Sequence, residues 1–487
     1  MDFLYTAHVV FIFVLVLFTH LIGIKSPRNI FVARKILHIG AILTVAHATF
    51  ITSTEQLHLY RNLILIAAIV LTMAVWRGFF KIEGRKSWGI AYFPWVLYVL
   101  LWIQPNRLEI TAISFAVLAV SDGFSALAGR YFAPPEPFKK YNATINGKTW
   151  MGFAVFTISC WILLGIVNLE FLLQKNDGST LFIAIIALFL VSITTAMVEL
   201  ISKGGTDNLW VPLWGFLMLV WIGRLSFWVS LFSAYLPLIF LVALLVWRKK
   251  WLSVDGLFMS ILLATVVLLA GVNMIPLLIF FLLGSLSSKI NHKANTDAKH
   301  GKPRDMWQVL ANGGWVGFLA IAKGLLLKMG LLTVVQIDFA VILIMSAALG
   351  DTLSSEIGMR WGKNPFSITT GKAVPAGISG GVSIAGLAGA LFGGVLMAIY
   401  AVSFYSYNHM YLLFVVCAAL GGSLIDSLLG DRVQEKFERN GKLSDVGLPE
   451  EKISGVRGMN NDAVNACSLG VVLLLYIALQ QLFVGPL

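Results

Sequence analysis

The chain has 487 residues, of which 58% are hydrophobic and only 12% are charged. Soluble domains carry about twice this share of charged residues, so the composition excludes an ordinary soluble protein. The net charge of +12 could suggest nucleic-acid binding, but most Lys and Arg residues lie in short segments between apolar stretches. We therefore predict no nucleic-acid partner.

Apolar stretches follow one another along almost the whole chain. A helix of about 20 such residues spans the hydrocarbon core of a bilayer. We predict an all-α polytopic membrane protein with about 16 transmembrane helices in two related, parallel halves. The predicted segments are 5–24, 36–52, 61–76, 88–103, 110–129, 150–170, 180–200, 209–223, 226–247, 255–271, 274–288, 313–333, 338–355, 381–402, 410–430 and 462–484.

Basic residues concentrate in alternate connections, which the positive-inside rule assigns to the cytosol, leaving both termini outside. The first segment lacks a basic leader and a small-residue cleavage pattern, so we predict a retained span. We expect the cytoplasmic membrane of a bacterium, with the sites facing the cytosol. Cys160, Cys417 and Cys467 stand apart in apolar runs, which predicts neither a disulfide nor a cysteine metal site.

The second predicted segment opens with a basic cluster of Arg34, Lys35 and His38. Such a cluster fixes orientation at the interface or contacts an anionic phosphate, and both interpretations stay open.

The stretch from Ser121 to Gly152 reads SDGFSALAGRYF, then a basic loop, then NGKTWMG. We predict a carboxylate where the fifth helix meets water, glycines that allow close approach, and a Gly-Lys pair on the far side of the loop. The spacing fails the Walker A pattern, so a phosphate site here would use Lys and backbone amides in another geometry. The residues concerned are Asp122, Gly123, Gly129, Arg130, Gly147 and Lys148.

Further carboxylates follow in VELISKGGTDNLWVP, where Glu199 ends an apolar run and Asp207 comes soon after. A Glu in a membrane segment is costly and usually functional. Gly204-Gly205 and Pro212 predict a broken helix entry that lines a cavity. With Asp122, these acids would suit magnesium, which takes one or two carboxylates plus substrate phosphates.

The order of an aspartate, a glycine and a later Gly-Lys pair, seen between Ser121 and Gly152, recurs in LGDTLSSEIGMRWG and TTGKAVPAG. Asp351 precedes Gly358 by seven residues, as Asp122 precedes Gly129, and Gly371-Lys372 repeats the earlier Gly-Lys pair. The two aspartates end the fifth and thirteenth predicted segments, so the repeat is parallel and both sites face the cytosol. We predict domains at 1–250 and 251–487.

The second half adds Glu356, five residues after Asp351, which would not share a helix face with it if the helix continued. The serines between them allow a folded-back turn at the helix end. The glycines after Lys372 indicate either a close-packed helix entry or small-residue helix packing. Asp426 and Asp462 parallel Glu199 and Asp207.

Several motifs carry a family resemblance. RKILHIG, SDGFSALAGRYF, GKTWMG and VELISKGGTDNLWVP, within 34–211, resemble the phytol kinase and dolichol kinase group. QVLANGG, GDTLSSEIG, ITTGKAVPAGISGGVS, GSLIDSLLGD and NNDAVN, within 308–465, resemble the phytyl-phosphate kinase family. Ser121 and Trp150 depart from the first pattern without removing a chemical group.

The resemblance implies a membrane kinase that converts an isoprenoid alcohol (phytol, geranylgeraniol, farnesol or similar) to its monophosphate and then to its diphosphate. CTP would be the phosphoryl donor and Mg²⁺ the cofactor. The partners would be the lipid bilayer, the alcohol and its monophosphate, and the oligomeric state is left open.

We assign the following roles as predictions. Catalytic residues are Asp122, Lys148, Glu199, Asp207, Asp351, Glu356, Lys372, Asp426 and Asp462. Nucleotide- or phosphate-binding residues are Arg34, Lys35, His38, Gly123, Gly129, Arg130, Gly147, Asn208, Gln308, Asn312, Thr370, Gly371, Gly377, Asn461 and Asn465. Metal ligands are Asp122, Glu199, Asp351 and Asp426.

Two alternatives stay open. A transporter with a parallel repeat fits the related halves and broken helices, although the charges concentrate on one face. A cytidylyltransferase that makes a CDP-lipid shares the substrates but would release pyrophosphate instead of CDP.

Overall fold

A computed structural model describes most of the chain. The described residues are 2–25, 30–79, 81–82, 85–132, 145–168, 178–224, 239–290, 303–375, 377–404, 409–439, 442–445 and 447–483. Part of the predicted segment 226–247 and of the basic loops around Lys139 and Lys293 lies outside them.

The chain divides into two compact units, 1–238 and 239–487. The sequence-based division was placed at residue 250, inside the second unit. Assigning each unit to a kinase family stays a prediction.

The first unit is a helical assembly. Its helices are α1 (Asp2–Lys25), α2 (Ile30–Ile51), α3 (Leu57–Trp76), α4 (Gly89–Ile103), α5 (Leu108–Val117), α6 (Gly123–Tyr131), α7 (Trp150–Val167), α8 (Gly178–Ile201) and α9 (Asp207–Arg224). A π-helical turn (Leu118–Asp122) joins α5 to α6, and a two-residue hairpin pairs β1 (Lys81–Ile82) with β2 (Arg85–Lys86).

The core of this unit is the continuous segment formed by α5, the π turn and α6. Helices α2, α7 and α9 all pack against it. Phe115 and Leu118 are fully buried within it. Asp122 therefore lies inside a helical segment that runs from Leu108 to Tyr131. The prediction that it sits at a helix end is wrong, because the chain turns through a π turn and continues as helix.

The second unit has eight described helices. They are α10 (Ile239–Arg248), α11 (Val254–Leu269), α12 (Ile275–Ile290), α13 (Met306–Lys328), α14 (Val334–Trp361), α15 (Ile384–Phe404), α16 (His409–Arg432) and α17 (Asn461–Phe483). Polar residues begin several of them. Asp305 accepts backbone hydrogen bonds at the start of α13, and Thr333 with Gln336 forms a capping box at the start of α14.

Helix α14 is the centre of the second unit and contacts α12, α13, α15, α16 and α17. Small residues allow its close approach to its neighbours. A Cβ on Gly350 would lie 2.7 Å from the Ala419 carbonyl oxygen, and one on Gly389 would lie 2.6 Å from that of Leu353. Gly389 belongs to the glycines that follow Lys372, and it serves small-residue helix packing.

Helix α14 also corrects one expectation. It continues unbroken from Val334 to Trp361 and contains both Asp351 and Glu356. The folded-back turn between them does not form, since the serines leave the main-chain hydrogen bonds of the helix intact. Pro212 likewise lies within α9, so the break between α8 and α9 falls before it, where Gly204 and Gly205 adopt φ of +60° and +85°.

Small strands complete the second unit. β3 (Phe366–Ser367) pairs with β4 (Gly381–Val382), and β5 (Lys436–Arg439) lies between β6 (Lys442–Ser444) and β7 (Lys452–Ser454). The three-stranded sheet is placed between α16 and α17 in the chain.

The membrane class is confirmed. Among the described residues, ten helices are long and apolar enough to cross a bilayer, five of them in each unit. Shorter apolar helices are Ala7–Phe18, Gly89–Ile103, Ile239–Arg248, Val254–Leu269 and Ile275–Ser288. Their order follows the predicted segments along the chain, which supports the all-α polytopic architecture.

Candidate functional site

Asp122 is the central acid of the first unit. Only 5% of the residue is exposed. Lys35 Nζ on α2 donates to Asp122 Oδ2 at 2.9 Å. His38 Nε2 is 3.1 Å from the same oxygen, although it is not aligned for a hydrogen bond. The basic cluster of α2 thus supplies a charge partner for a buried carboxylate, which would otherwise be very costly inside a membrane protein.

The π turn and a glycine position this pair. A π turn adds a residue to the helix and rotates the residues after it, and such turns are frequent at functional sites. Gly123 comes directly after it, and a Cβ there would lie 2.4 Å from Ile39 Cδ1. The absence of a side chain at Gly123 therefore lets α2 approach closely enough for Lys35 to reach Asp122.

Lys148 is the second cation of the site, and a tight turn presents it. Ile145 and Lys148 exchange backbone hydrogen bonds of 3.0 and 2.9 Å, while Asn146 and Gly147 between them adopt φ of +56° and +82°. Asn-Gly favours such a turn, because both positions need positive φ. Thr149 then caps α7 by accepting from Gly152 N.

The Lys148 ammonium joins the ends of α8 and α9. Its Nζ is 2.8 Å from Glu199 Oε1 and 2.9 Å from Asp207 Oδ2, and it also donates to the Glu199 carbonyl oxygen at 2.7 Å. Burial lowers the pKa of Lys148, but Asp207 and Glu199 outweigh it and raise that pKa above its ordinary value. The lysine is therefore held in its charged form.

The three carboxylates form one cluster. Asp122, Glu199 and Asp207 each offer an oxygen, and these oxygens all lie within 4.8 Å of one another. Carboxylate oxygens are the donors that magnesium takes, so the chemistry of this set fits that ion. Lys35, His38 and Lys148 are the basic neighbours of these carboxylates. The predicted association of Asp122, Glu199 and Lys148 agrees with this geometry.

Other residues predicted for the first site lie around the cluster. Arg130 stacks on Phe31, with its Cζ 4.2 Å from the ring centroid, and Arg34 is exposed. Asn208 donates its side-chain amide to the Gly89 carbonyl oxygen at 3.0 Å. Gly129 makes room for Thr149, whose Oγ1 would lie 2.7 Å from a Cβ at that position. These four side chains or positions shape or flank the site.

The second unit holds a different arrangement. Asp351 on α14 and Asp426 on α16 are half-buried and close enough for their charges to interact. With the Asn465 amide turned so that its nitrogen faces these oxygens, it donates to Asp426 Oδ2 and to the Asn461 carbonyl oxygen, both at 3.0 Å. Ser468 Oγ also approaches Asp426 Oδ2, at 3.4 Å. Neutral donors thus surround Asp426, where ammonium groups surround Asp122.

The loop before α15 is fixed by an acid that sequence reasoning did not select. Asp431, at the end of α16, accepts hydrogen bonds from Ser367 and Thr369, and its Oδ1 is 3.1 Å from Lys436 Nζ. Thr370 Oγ1 donates to Ser367 Oγ at 2.9 Å. Asp431 is the last residue of the motif GSLIDSLLGD, and this position is the signal by which sequence analysis could have selected it.

Lys372 differs from its predicted counterpart. It is exposed, and within the described ranges it forms no ion pair with an acid. The prediction that it stands opposite a carboxylate helix, as Lys148 does, is therefore wrong for this structure. The loop is held by serine and threonine hydroxyls on Asp431, and these leave the lysine at its outer edge.

The remaining predicted residues of the second unit take local positions. Gln308 N bonds to the capping Asp305, and Asn312 donates to the Gln308 carbonyl oxygen at 2.9 Å. Gly371 and Gly377 adopt φ of +67° and +88° and so serve turns. Asp462 is in the first turn of α17, and Glu356 interacts electrostatically with Arg304. Arg304 is not among the predicted site residues.

Comparison with known proteins shows that part of the chain matches a described membrane-protein family. Residues 237–472 match the family described as "Integral membrane protein DUF92". "Protein PGR" of Arabidopsis thaliana is 32% identical over 256 residues, which are 47% of this chain and 89% of that protein. An uncharacterized membrane protein of Methanocaldococcus jannaschii is 30% identical over 238 residues, 46% of this chain and 90% of its own.

A further relative, an uncharacterized membrane protein of Synechocystis, is 35% identical over 94 residues, covering 19% of this chain and 36% of that protein. No solved structure matches. The matched family agrees with a membrane location, while a bacterial membrane stays an expectation, since one relative is a plant protein. The kinase resemblance stays a prediction.

Proposed function

From the premise that this chain belongs to the integral membrane family DUF92, we propose that it is a membrane kinase acting on isoprenoid lipids. It transfers the terminal phosphoryl group of a nucleoside triphosphate, CTP by resemblance, to an isoprenoid alcohol. A second transfer then converts the monophosphate to the diphosphate. The apolar tail remains among the lipids while its head group reacts at the protein.

One observation carries the proposal: the buried Asp122 and Glu199 and the half-buried Asp207 form one cluster, in which Lys148 bridges Glu199 and Asp207. Phosphoryl transfer needs positioned cations and metal-binding acids more than covalent chemistry. A structural ion-pair network would set each acid against a base, whereas here the oxygens of three carboxylates converge within 4.8 Å of one another.

In the proposed first step, the alcohol oxygen forms a bond to the terminal phosphorus, and the bond from that phosphorus to the nucleoside diphosphate oxygen breaks. The alcohol proton passes to a carboxylate of the cluster. Lys148 and Lys35 stabilise negative charge on the phosphoryl oxygens. Asp122, Glu199 and Asp207 would hold magnesium, which would supply positive charge against the nucleotide phosphates.

The test uses purified full-length protein in lipid nanodiscs with radiolabelled CTP, a panel of prenols and the matching prenyl monophosphates. We expect CDP and a labelled prenyl phosphate. Asp122→Asn should abolish alcohol phosphorylation yet leave conversion of monophosphate to diphosphate measurable. Glu109→Gln, at an exposed carboxylate earlier in the same segment, is the matched control.

Three results would count against this proposal. Absence of nucleotide turnover with every lipid offered would overturn it. Release of pyrophosphate with formation of a CDP-lipid would replace it with the cytidylyltransferase alternative. Loss of both steps in a folded Asp122→Asn protein would argue for one composite site.

Ion-coupled transport is a second candidate, favoured by the position of Asp122 within the segment Leu108–Tyr131. Charged residues inside membrane spans often mark ion pathways. Transport predicts substrate flux into sealed proteoliposomes that collapses with the ion gradient, without nucleotide turnover. The kinase predicts the opposite pair of results.

A further inference from the structure

The second unit contains a cation that the two predicted sites leave unassigned. Arg304 lies directly before α13, and its main chain is fixed on both sides. Its N–H donates to the Trp251 carbonyl oxygen at 3.0 Å, and its carbonyl oxygen accepts from Ser253 N at 3.0 Å. Gly256 permits this contact, because a Cβ there would lie 2.2 Å from the Arg304 oxygen.

The Arg304 side chain extends from this fixed point toward α12 and α14. Its Cζ is 5.6 Å from the centroid of the Phe280 ring, in the range of a cation–π contact. A Cβ on Gly284 would lie 3.0 Å from Arg304 Nη2 and 3.5 Å from Thr352 Cγ2. Gly284 thus leaves the space that the guanidinium fills, next to the residue that follows Asp351.

The guanidinium is only partly exposed to solvent. Burial lowers the pKa of Arg304, while the charge of Glu356 raises it. Over the ranges that the structure describes, its neighbours are the Phe280 ring, Gly284 and the charge of Glu356. A bound anion would offset the cost of withdrawing this positive charge from water.

We propose that Arg304 binds the phosphomonoester head group of a phosphorylated lipid in the second unit. This deepens the proposed function, on which it rests. A planar guanidinium presents paired N–H donors that match two phosphate oxygens. In the first unit the substrate is a neutral alcohol and the lysines are engaged by carboxylates. Arg304 would therefore make the second unit select a lipid that already carries a phosphate.

Equilibrium binding of geranylgeranyl monophosphate and of geranylgeraniol to the full-length protein in nanodiscs tests this proposal without any turnover. We expect Arg304→Met to weaken monophosphate binding about 10- to 100-fold and to leave alcohol binding unchanged, as for loss of a hydrogen-bonded charge contact. Arg304→Lys should recover only part of the affinity, since an ammonium cannot form the paired contact. Arg360→Met is the control, as Arg360 is exposed and lies over Trp361.

Gly284→Ala supplies a second route if Arg304→Met does not fold. It keeps the charge but occupies the space beside Nη2, so it should also weaken monophosphate binding selectively. Equal affinity of the wild-type protein for monophosphate and alcohol would overturn the proposal, as would unchanged affinity in folded Arg304→Met and Gly284→Ala proteins. Because binding is measured without nucleotide, a failure of kinase activity alone would leave this result standing.

Discussion

Lys148 lets the candidate chemistry be tested at the scale of one side chain. Replacing it by Met removes the cation between Glu199 and Asp207. Loss of one preorganised donor typically costs about 10²–10³-fold in rate, so the first transfer should slow by that amount. The measurement is kcat for alcohol phosphorylation.

Lys203→Met is the matched control for this prediction. Lys203 is an exposed lysine of the loop between α8 and α9 and should not affect the rate. A normal rate for Lys148→Met would contradict the site assignment but not the kinase itself.

The raised pKa of Lys148 also sets a dependence on pH. A group whose pKa is higher in the folded state than in the unfolded state contributes stability fully below its unfolded pKa, ordinarily 10.5 for lysine. That contribution is lost only as the pH rises through the higher folded value. The difference in melting temperature between wild type and Lys148→Met should therefore stay constant from about pH 7 to 10. A difference that shrinks within this range would show that the lysine loses its proton early.

Sequence reasoning at the residue scale selected Asp122, Glu199, Asp207 and Lys148 because charged groups in apolar segments are few. The sequence did not indicate which side chains these residues contact. Lys35 contacts Asp122 although 87 positions separate them in the chain. The π turn that places Asp122 there has no sequence signature. Arg304 was not selected because it lies in one of the basic connections that indicate membrane orientation, and only the structure shows its side chain half-buried beside Phe280.

Close approach of helices is the property to test at the scale of elements. Gly350 on α14 faces the Ala419 carbonyl oxygen on α16 at a distance that leaves no room for a side chain. Gly350→Val should destabilise the second unit by about 1–3 kcal/mol, as overpacking does. Thermal unfolding in detergent measures the change.

Gly324 on α13 offers the matched control, since a Cβ there would meet no atom within 4 Å. Both substitutions place Val in the interior of a helix and so carry the same cost in helix propensity. Equal loss of stability in the two variants would contradict the packing argument.

The helices themselves were predictable from hydropathy, since the backbone in a bilayer must satisfy its own hydrogen bonds and apolar runs become helices. The ends of the helices were less predictable. The apolar run at 338–355 gives no sign that α14 extends to Trp361, because Ser354, Ser355 and Glu356 continue the helix outside the apolar region. Polarity marks where a hydrophobic segment ends, and a helix can continue past that point.

Membrane orientation is a property of the whole molecule. The positive-inside argument puts the segment after α14 in the cytosol and the segment before it outside. In a background with Cys417 and Cys467 replaced by Ser, a cysteine at Asn364 should react with an impermeant thiol reagent only from the cytosolic side. A cysteine at Met329, exposed beyond the other end of α14, should react only from outside. Labelling of Asn364→Cys in intact cells would overturn the orientation.

The two units differ in the groups around their acids. Lys35 pairs with Asp122, and Lys148 pairs with Glu199 and Asp207 in the first unit, whereas the neutral side chains of Asn465 and Ser468 approach Asp426 in the second. The repeated motifs therefore predicted neither the continuation of the helices past Asp122 and Asp351 nor the exposed position of Lys372. Spacing along a chain reports where a helix places a residue, while the partners of that residue come from other helices.

The bridge from Lys148 to the ends of α8 and α9 has a consequence for local opening. The glycine-containing break at residues 202–206 lies between these ends, so the lysine holds both sides of a short non-helical segment. Amide hydrogens in such a segment exchange with solvent whenever the ends separate. In the wild-type protein they should exchange slowly, and in Lys148→Met much faster, while the interior of α14 keeps its protection. Hydrogen exchange would then report occupancy of the lysine bridge directly, before any substrate is known.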